Sequence, residues 1–172
     1  MSRAGSRAPF RVETTFDAPL DFVFRWCTDF GPEDASLTGE RFLRKVFRRR
    51  RNEVIFEDLN ETPSGWMWLR NVVTLYPPDR WHLEAVGNSL DAKADYRLSG
   101  LPDGRTRFVM TWTLRPGLLG MSVPPRTTIE PALHHVWDTY RRALERDYFR
   151  TRPAAGRGKK SAKTRRRPFG PP

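Results

Sequence analysis

Along most of the chain, apolar and polar side chains alternate one by one. Between Arg41 and Leu114 this period-2 pattern predicts six strands, near 42–50, 53–61, 66–76, 80–87, 91–98 and 105–115. Three have one clear apolar face. Trp81, Leu83 and Ala85 oppose His82 and Glu84; Ala92, Ala94, Tyr96 and Leu98 oppose Asp91, Lys93, Asp95 and Arg97; Phe108, Met110, Trp112 and Leu114 oppose Arg105, Arg107, Thr111 and Thr113. Strands wet on one face only mark an antiparallel sheet. The connectors have hairpin chemistry: Arg51-Asn52, Pro63-Ser-Gly65, Tyr76-Pro-Pro-Asp79, Gly87-Asn-Ser89 and Pro102-Asp-Gly104. One more strand comes first, over 10–16, with Phe10, Val12, Thr14 and Phe16 on one face.

Two stretches change to the helical period. Asp17 stands at an N-cap position with Pro19 in the first turn, and Leu20, Val23, Phe24 and Cys27 recur at helical spacing, predicting a helix over about 19–28. Residues 31–36 are a break with at most a short second helix. Beyond the apolar, Gly/Pro-containing segment from Leu118 to Pro125, a broad stripe of Ile129, Leu133, Val136, Trp137, Tyr140, Ala143, Leu144 and Tyr148 predicts a long helix over about 126–150. Its apolar face must be buried, and the sheet is the only large partner. The expected architecture is α+β: a seven-stranded antiparallel sheet curved around the long C-terminal helix, with one or two short helices after the first strand. A cavity between sheet and helix is the natural place for a ligand.

Charge changes less than it first suggests. The 172 residues hold 31 Lys+Arg and 20 Asp+Glu, a net charge of +11. Residues 151–172 carry eight basic side chains and no acid, and residues 1–9 carry two, so the body 10–150 is close to neutral at +1. The reading is therefore one domain over 10–150, a flexible tail over 1–9 and a disordered basic tail over 151–172. The run 157–167 could hold a polyanion, nucleic acid or acidic membrane, weakly through counterion release. It lacks the interleaved aromatics of specific base recognition. One cysteine excludes an internal disulfide framework. There is no secretory signal and no run near the roughly 20 apolar residues of a transmembrane helix, which places the protein in the cytoplasm by default. No cofactor is expected, and no His/Asp/Glu set has the spacing of a metal site.

His82, His134 and His135 all point away from the expected cavity, and Cys27 reads as a small buried hydrophobe. Trp81, Tyr96, Met110, Trp112, Trp137 and Tyr140 face inward; Tyr96, Trp112 and Tyr140 also carry a polar atom that needs a partner when buried. Two facings stay open. In 66–76, the set Met67, Leu69, Val73 and Leu75 places Asn71 inward, in a local network or in a site; the other register brings in Trp66, Trp68 and Arg70. In 53–61, Val54, Phe56, Asp58 and Asn60 compete with Ile55 and Leu59; the first set makes Asp58 a buried carboxylate, an acid/base group or an Arg partner. The run Arg48 to Arg51 reads as a solvated strand end countered by Glu53 and Glu57.

Three segments carry a family resemblance. Val12-Glu-Thr-Thr-Phe-Asp-Ala-Pro-Leu-Asp-Phe-Val-Phe24 looks like the opening strand, "x-A-P" turn and first helix of the SRPBCC superfamily. Thr74-Leu-Tyr-Pro-Pro-Asp-Arg-Trp81 resembles its "pp-r" hairpin, and Gly104-Arg-Thr-Arg-Phe-Val-Met-Thr-Trp112 its "G-T-x-v-x-w" strand. Order and spacing over about 10–150 resemble this START-like, helix-grip fold, and within it the polyketide cyclase/dehydrase and lipid-transport-type group. The resemblance implies a small apolar or amphipathic ligand, lipid-like or polyketide-like; the facings above offer Asn71, Tyr96 or Asp58 to fix its orientation. The alternatives are a cyclase, aromatase or dehydratase using Asp58 with Tyr96 or Arg70, and an interaction protein tethered by its basic tail. No catalytic residue is assigned.

Overall fold

Hairpin pairing builds six of the seven strands into the sheet of the computed structural model, which describes residues 9–39, 41–62 and 65–151. Residues 1–8, Pro63 and Ser64 of the second hairpin, and everything past Thr151 lie outside the described residues, the tail run 157–167 included. The elements are β1 (Phe10–Phe16), α1 (Leu20–Cys27), α2 (Asp34–Thr38), β2 (Phe42–Arg50), β3 (Glu53–Thr62), β4 (Gly65–Tyr76), β5 (Arg80–Gly87), β6 (Leu90–Gly100), β7 (Thr106–Pro116) and α3 (Arg126–Thr151). All seven strands pair antiparallel in the order β1-β7-β6-β5-β4-β3-β2. Each neighbouring pair from β2 to β7 is a hairpin; β1 closes onto β7 after the chain has passed through α1 and α2.

The expected alternation decides which face is buried. Val12, Phe16, Val54, Phe56, Val73, Trp81, Leu98, Phe108 and Met110 point into the core with Val23 and Phe24 of α1 and Leu144 of α3. The opposite face is laced with charge, as in Arg107–Glu13 and Arg70–Glu57. Both open facings resolve: Val54, Phe56 and Asp58 are buried in β3, and Asn71, Val73 and Leu75 in β4. Arg70 and Trp66 are on the solvent side. His134 and His135 are exposed, and His82 bonds Asp95 outside the sheet at 2.8 Å.

Cross-links hold α1 against α3. The Trp26 indole N–H donates to Asp147 Oδ2 at 3.1 Å, and the Asp17 backbone N–H donates to Glu145 Oε1 at 3.0 Å. Asp17 is therefore not the helix cap. Pro19 takes that place with an extended backbone (ψ 154°), so α1 begins one residue later than the spacing predicts. At the other end of the turn the fully buried Thr106 hydroxyl donates to Ala18 O at 2.8 Å.

The stripe on α3 is buried unevenly. Only Ala143 and Leu144 are fully buried, while Ile129, Leu133, Val136, Trp137 and Tyr140 are half-buried. The helix thus seals against the sheet at its C-terminal half and leaves room beneath the middle. Leu144→Ala should cost about 3 kcal/mol, within the range for a fully buried leucine, and Leu133→Ala clearly less. Urea unfolding of the two variants measures the difference.

Candidate functional site

The room under α3 is a half-open cavity of about 160 Å³. Its walls come from four directions. β3, β4, β5 and β6 supply Phe56, Asn71, Trp81 and Tyr96; α1 supplies Trp26 and Cys27; the following loop supplies Phe30; α3 closes it with Trp137 and Tyr140. The rings brace one another. Trp81 and Tyr96, directly opposite in register, stack at 4.7 Å; Phe30 stacks on Phe56 at 5.2 Å; Tyr140 meets Trp26 and Trp137 edge-on at 6.2 and 5.5 Å. Interlocked rings of this kind hold a shaped wall with little rotamer freedom.

One end of the cavity is polar. Arg44 of β2 stands opposite Asp58 of β3 and meets it as a fork: Nε donates to Oδ1 at 2.8 Å and Nη2 to Oδ2 at 2.9 Å. Nη1 donates to Asp34 Oδ2 of α2. The guanidinium also lies over the Phe56 ring, 4.4 Å from its centroid. Arg44 and Asp58 are about nine-tenths buried. Burial disfavours the Arg44 charge, but the bonds to Asp58 and the nearby Asp34 more than offset this and strengthen its hold on the proton. Asp34 fares differently. Burial pushes its carboxyl up to about 6, helped by Asp29 and Glu33 and opposed by Arg44. Asn71, 4% exposed, makes only a long bond of 3.5 Å to Leu69 O, so its carboxamide is available to the cavity.

Burial also raises the Cys27 thiol and the Tyr96 phenol. Neither is an anion at neutral pH, so Cys27 is not an activated nucleophile and Tyr96 keeps its phenolic O–H. Among the described residues, no group of three or more His, Cys, Asp or Glu is placed to hold a metal ion. No helix among them is long and apolar enough to cross a membrane.

Of the residues singled out from sequence, Asp58, Asn71, Trp81, Tyr96, Trp137 and Tyr140 line this cavity together. Met110 and Trp112 do not. Both lie on β7 towards the β1 edge of the sheet: Trp112 packs on Phe10, its register partner, and Met110 is sealed in the core opposite Val12. Arg70 pairs with Glu57 on the outer face and cannot serve Asp58. Trp26, Phe30, Asp34 and Arg44 were missed. Of the run Arg48 to Arg51, Arg48 pairs with Glu53, whereas Arg49 turns inward and donates to the carbonyls of Thr28 and Asp29.

The cluster makes two predictions. Arg44→Met leaves Asp58 buried without its partner and should cost about 3–5 kcal/mol; adding Asp58→Leu should recover much of the loss, read by urea unfolding of the single and double variants. The second concerns pH. The folded chain holds the Asp34 proton more tightly than the unfolded chain, so this residue's contribution falls as pH rises from the ordinary 3.8 to about 6. Asp34→Asn should remove that slope and leave the protein at least as stable at neutral pH. Denaturation midpoints across the window measure it.

No protein-family model matches the chain, and no curated protein matches it in sequence. Solved structures do match in shape. A protein from Thermus thermophilus superposes with a TM-score of 0.66 at 12% identity, over 81% of this chain and 98% of that one. The Zhui aromatase/cyclase of a Streptomyces species gives 0.65 at 15% identity, over 86% and 97%. A START superfamily protein from Mycobacterium smegmatis gives 0.61 at 12% identity, over 84% and 99%. At these identities the likeness speaks for architecture: the chain has the helix-grip fold of START-like proteins and aromatase/cyclases.

Proposed function

We propose that the chain binds one small amphipathic molecule, the size of one or two rings, in the cavity between the sheet and α3. The observation that carries this reading is the two-ended wall, aromatic over most of its extent and hydrogen-bonding at Asp34, Arg44, Asp58 and Asn71. In such sites apolar contact supplies most of the affinity and a few placed polar groups fix orientation. Size follows from volume. An apolar cavity of about 150 Å³ holds a benzene-sized guest. About 160 Å³ therefore matches one aromatic ring, and because the cavity is half open a larger guest would extend beyond it.

A second reading is acid–base chemistry on the bound molecule, and Asp34 is the residue that favours it. A carboxyl titrating near 6 can give and take protons around neutral pH. Asp58 is a weaker choice for that role, because both its oxygens are held by Arg44. The aromatase/cyclase among the structural neighbours agrees with this reading in fold alone.

The six tryptophans give a direct test. Trp26, Trp81 and Trp137 line the cavity, whereas Trp66, Trp68 and Trp112 do not. Titration of a one- and two-ring fragment set should shift the indole N–H resonances of the first three saturably and leave the other three in place. Shifts confined to Trp66 and Trp68, or no saturable shift, would overturn ligand binding at this site. For the second reading, a fragment that binds should be converted to product detectable by mass spectrometry, and Asp34→Asn should stop conversion while keeping the indole shifts.

A further inference from the structure

The charge balance at the polar end of the cavity narrows the ligand class, and this step rests on the binding reading above. The chain as a whole carries +11, yet the groups gathered at this end are mostly acids. Asp34 and Asp58 line the cavity, and Asp29 and Glu33 stand close enough to raise the Asp34 carboxyl. Against these four carboxylates stand Arg44 and Arg49. Arg49 donates to the carbonyls of Thr28 and Asp29, and its charge faces the Asp29 carboxylate. On α3 the nearby Arg141 and Arg142 are paired with Asp138 and Glu145.

Arg44 is the residue that would receive an anion, and it is already engaged. Each of its three nitrogens donates to a carboxylate oxygen, two to Asp58 and one to Asp34. An anionic guest would have to compete with those carboxylates and would add a third negative charge around one guanidinium. A cation meets the opposite situation. It would supply the charge that Asp34 lacks, because Arg44 is shared and the fork belongs to Asp58. The same cavity is lined by the rings of Trp26, Trp137 and Tyr140, and aromatic faces favour cations. The cavity already holds one cation in this manner: the Arg44 guanidinium itself lies between two carboxylates and over the Phe56 ring.

We infer that the cavity selects an organic cation: a protonated primary amine on a one-ring aromatic body, its ammonium against Asp34 and its ring among the tryptophans. An ammonium carries three N–H donors, and the Asp34 carboxylate and the Asn71 carboxamide both line this cavity.

Three probes of nearly equal shape decide this: 2-phenylethylamine, 2-phenylethanol and 3-phenylpropionate, titrated into the full chain at neutral pH with the Trp26, Trp81 and Trp137 indole resonances as readout. The amine should bind about tenfold more tightly than the alcohol, the worth of one charge-assisted hydrogen bond, and the acid should bind most weakly. Asp34→Asn should bring the amine down to the alcohol. Equal affinity for all three would overturn the charge selection and leave ligand binding standing. Tightest binding by the acid would overturn it in favour of Arg44 as an anion receptor. Amine preference that survives Asp34→Asn would also overturn it, and silence from all three would overturn the cation selection while the fragment titration above decides ligand binding. The wild-type titrations decide the charge selection itself even if the variant fails to fold.

Discussion

Seven antiparallel strands about 4.8 Å apart make a sheet roughly 30 Å wide, whereas one helix with its side chains is about 10–12 Å across. The sheet has one dry face, and a single helix cannot cover it. Everything on the concave side follows from that shortfall. α1 is pinned to α3 by Trp26–Asp147 and Asp17–Glu145 and covers a second strip. Large rings from α1, the following loop and α3 extend the cover further. Where α3 lies close, at Ala143 and Leu144, the core is sealed; under Trp137 and Tyr140 it is not, and the cavity is what remains.

The polar end answers a separate constraint. A carboxylate on the dry face of a sheet is tolerated only with a partner of matching geometry. Asp58 has one, because β2 places Arg44 directly across from it. The fork leaves one guanidinium nitrogen for Asp34, so a single arginine ties α2 to β2 and β3. The same arrangement gives Asp34 one guanidinium nitrogen, too little to offset its burial, which pushes its carboxyl up. Structural support and chemical potential at this site come from the same three side chains.

The element order was legible because each pattern had one physical cause: period-2 alternation for strands with one wet face, and a continuous stripe for α3. Asp58 and Asn71 could be placed only as one of two facings, since β3 and β4 carry apolar residues on both sides. Arg44 was hidden for a sharper reason. The two-residue turn Arg51-Asn52 with an unbroken ladder would set Lys45 opposite Asp58. The register slips between Val46 and Arg48, and the slip brings Arg44 there instead. Nothing in the run Phe42 to Arg50 marks that irregularity. Trp26, Phe30 and Asp34 belong to short helices and a loop, where facing is set by what they pack against rather than by a period. Met110 and Trp112 show the converse: alternation tells which side of a sheet a residue is on, not how far along it the cavity extends.

β2 is an edge strand, with one row of backbone N–H and C=O groups unpaired within the sheet. Such an edge is a template for another chain's strand. Leu43, Val46 and Phe47 are exposed on it and would favour such pairing. Interspersed with them are Lys45 and Arg50, and Arg48, which is paired with Glu53. A second copy docking edge to edge would have to bring two such basic rows together at strand spacing, and their mutual repulsion opposes growth of the sheet from one molecule into the next. The charge on this strand thus protects against aggregation at the border where the fold has no further strand to cover it.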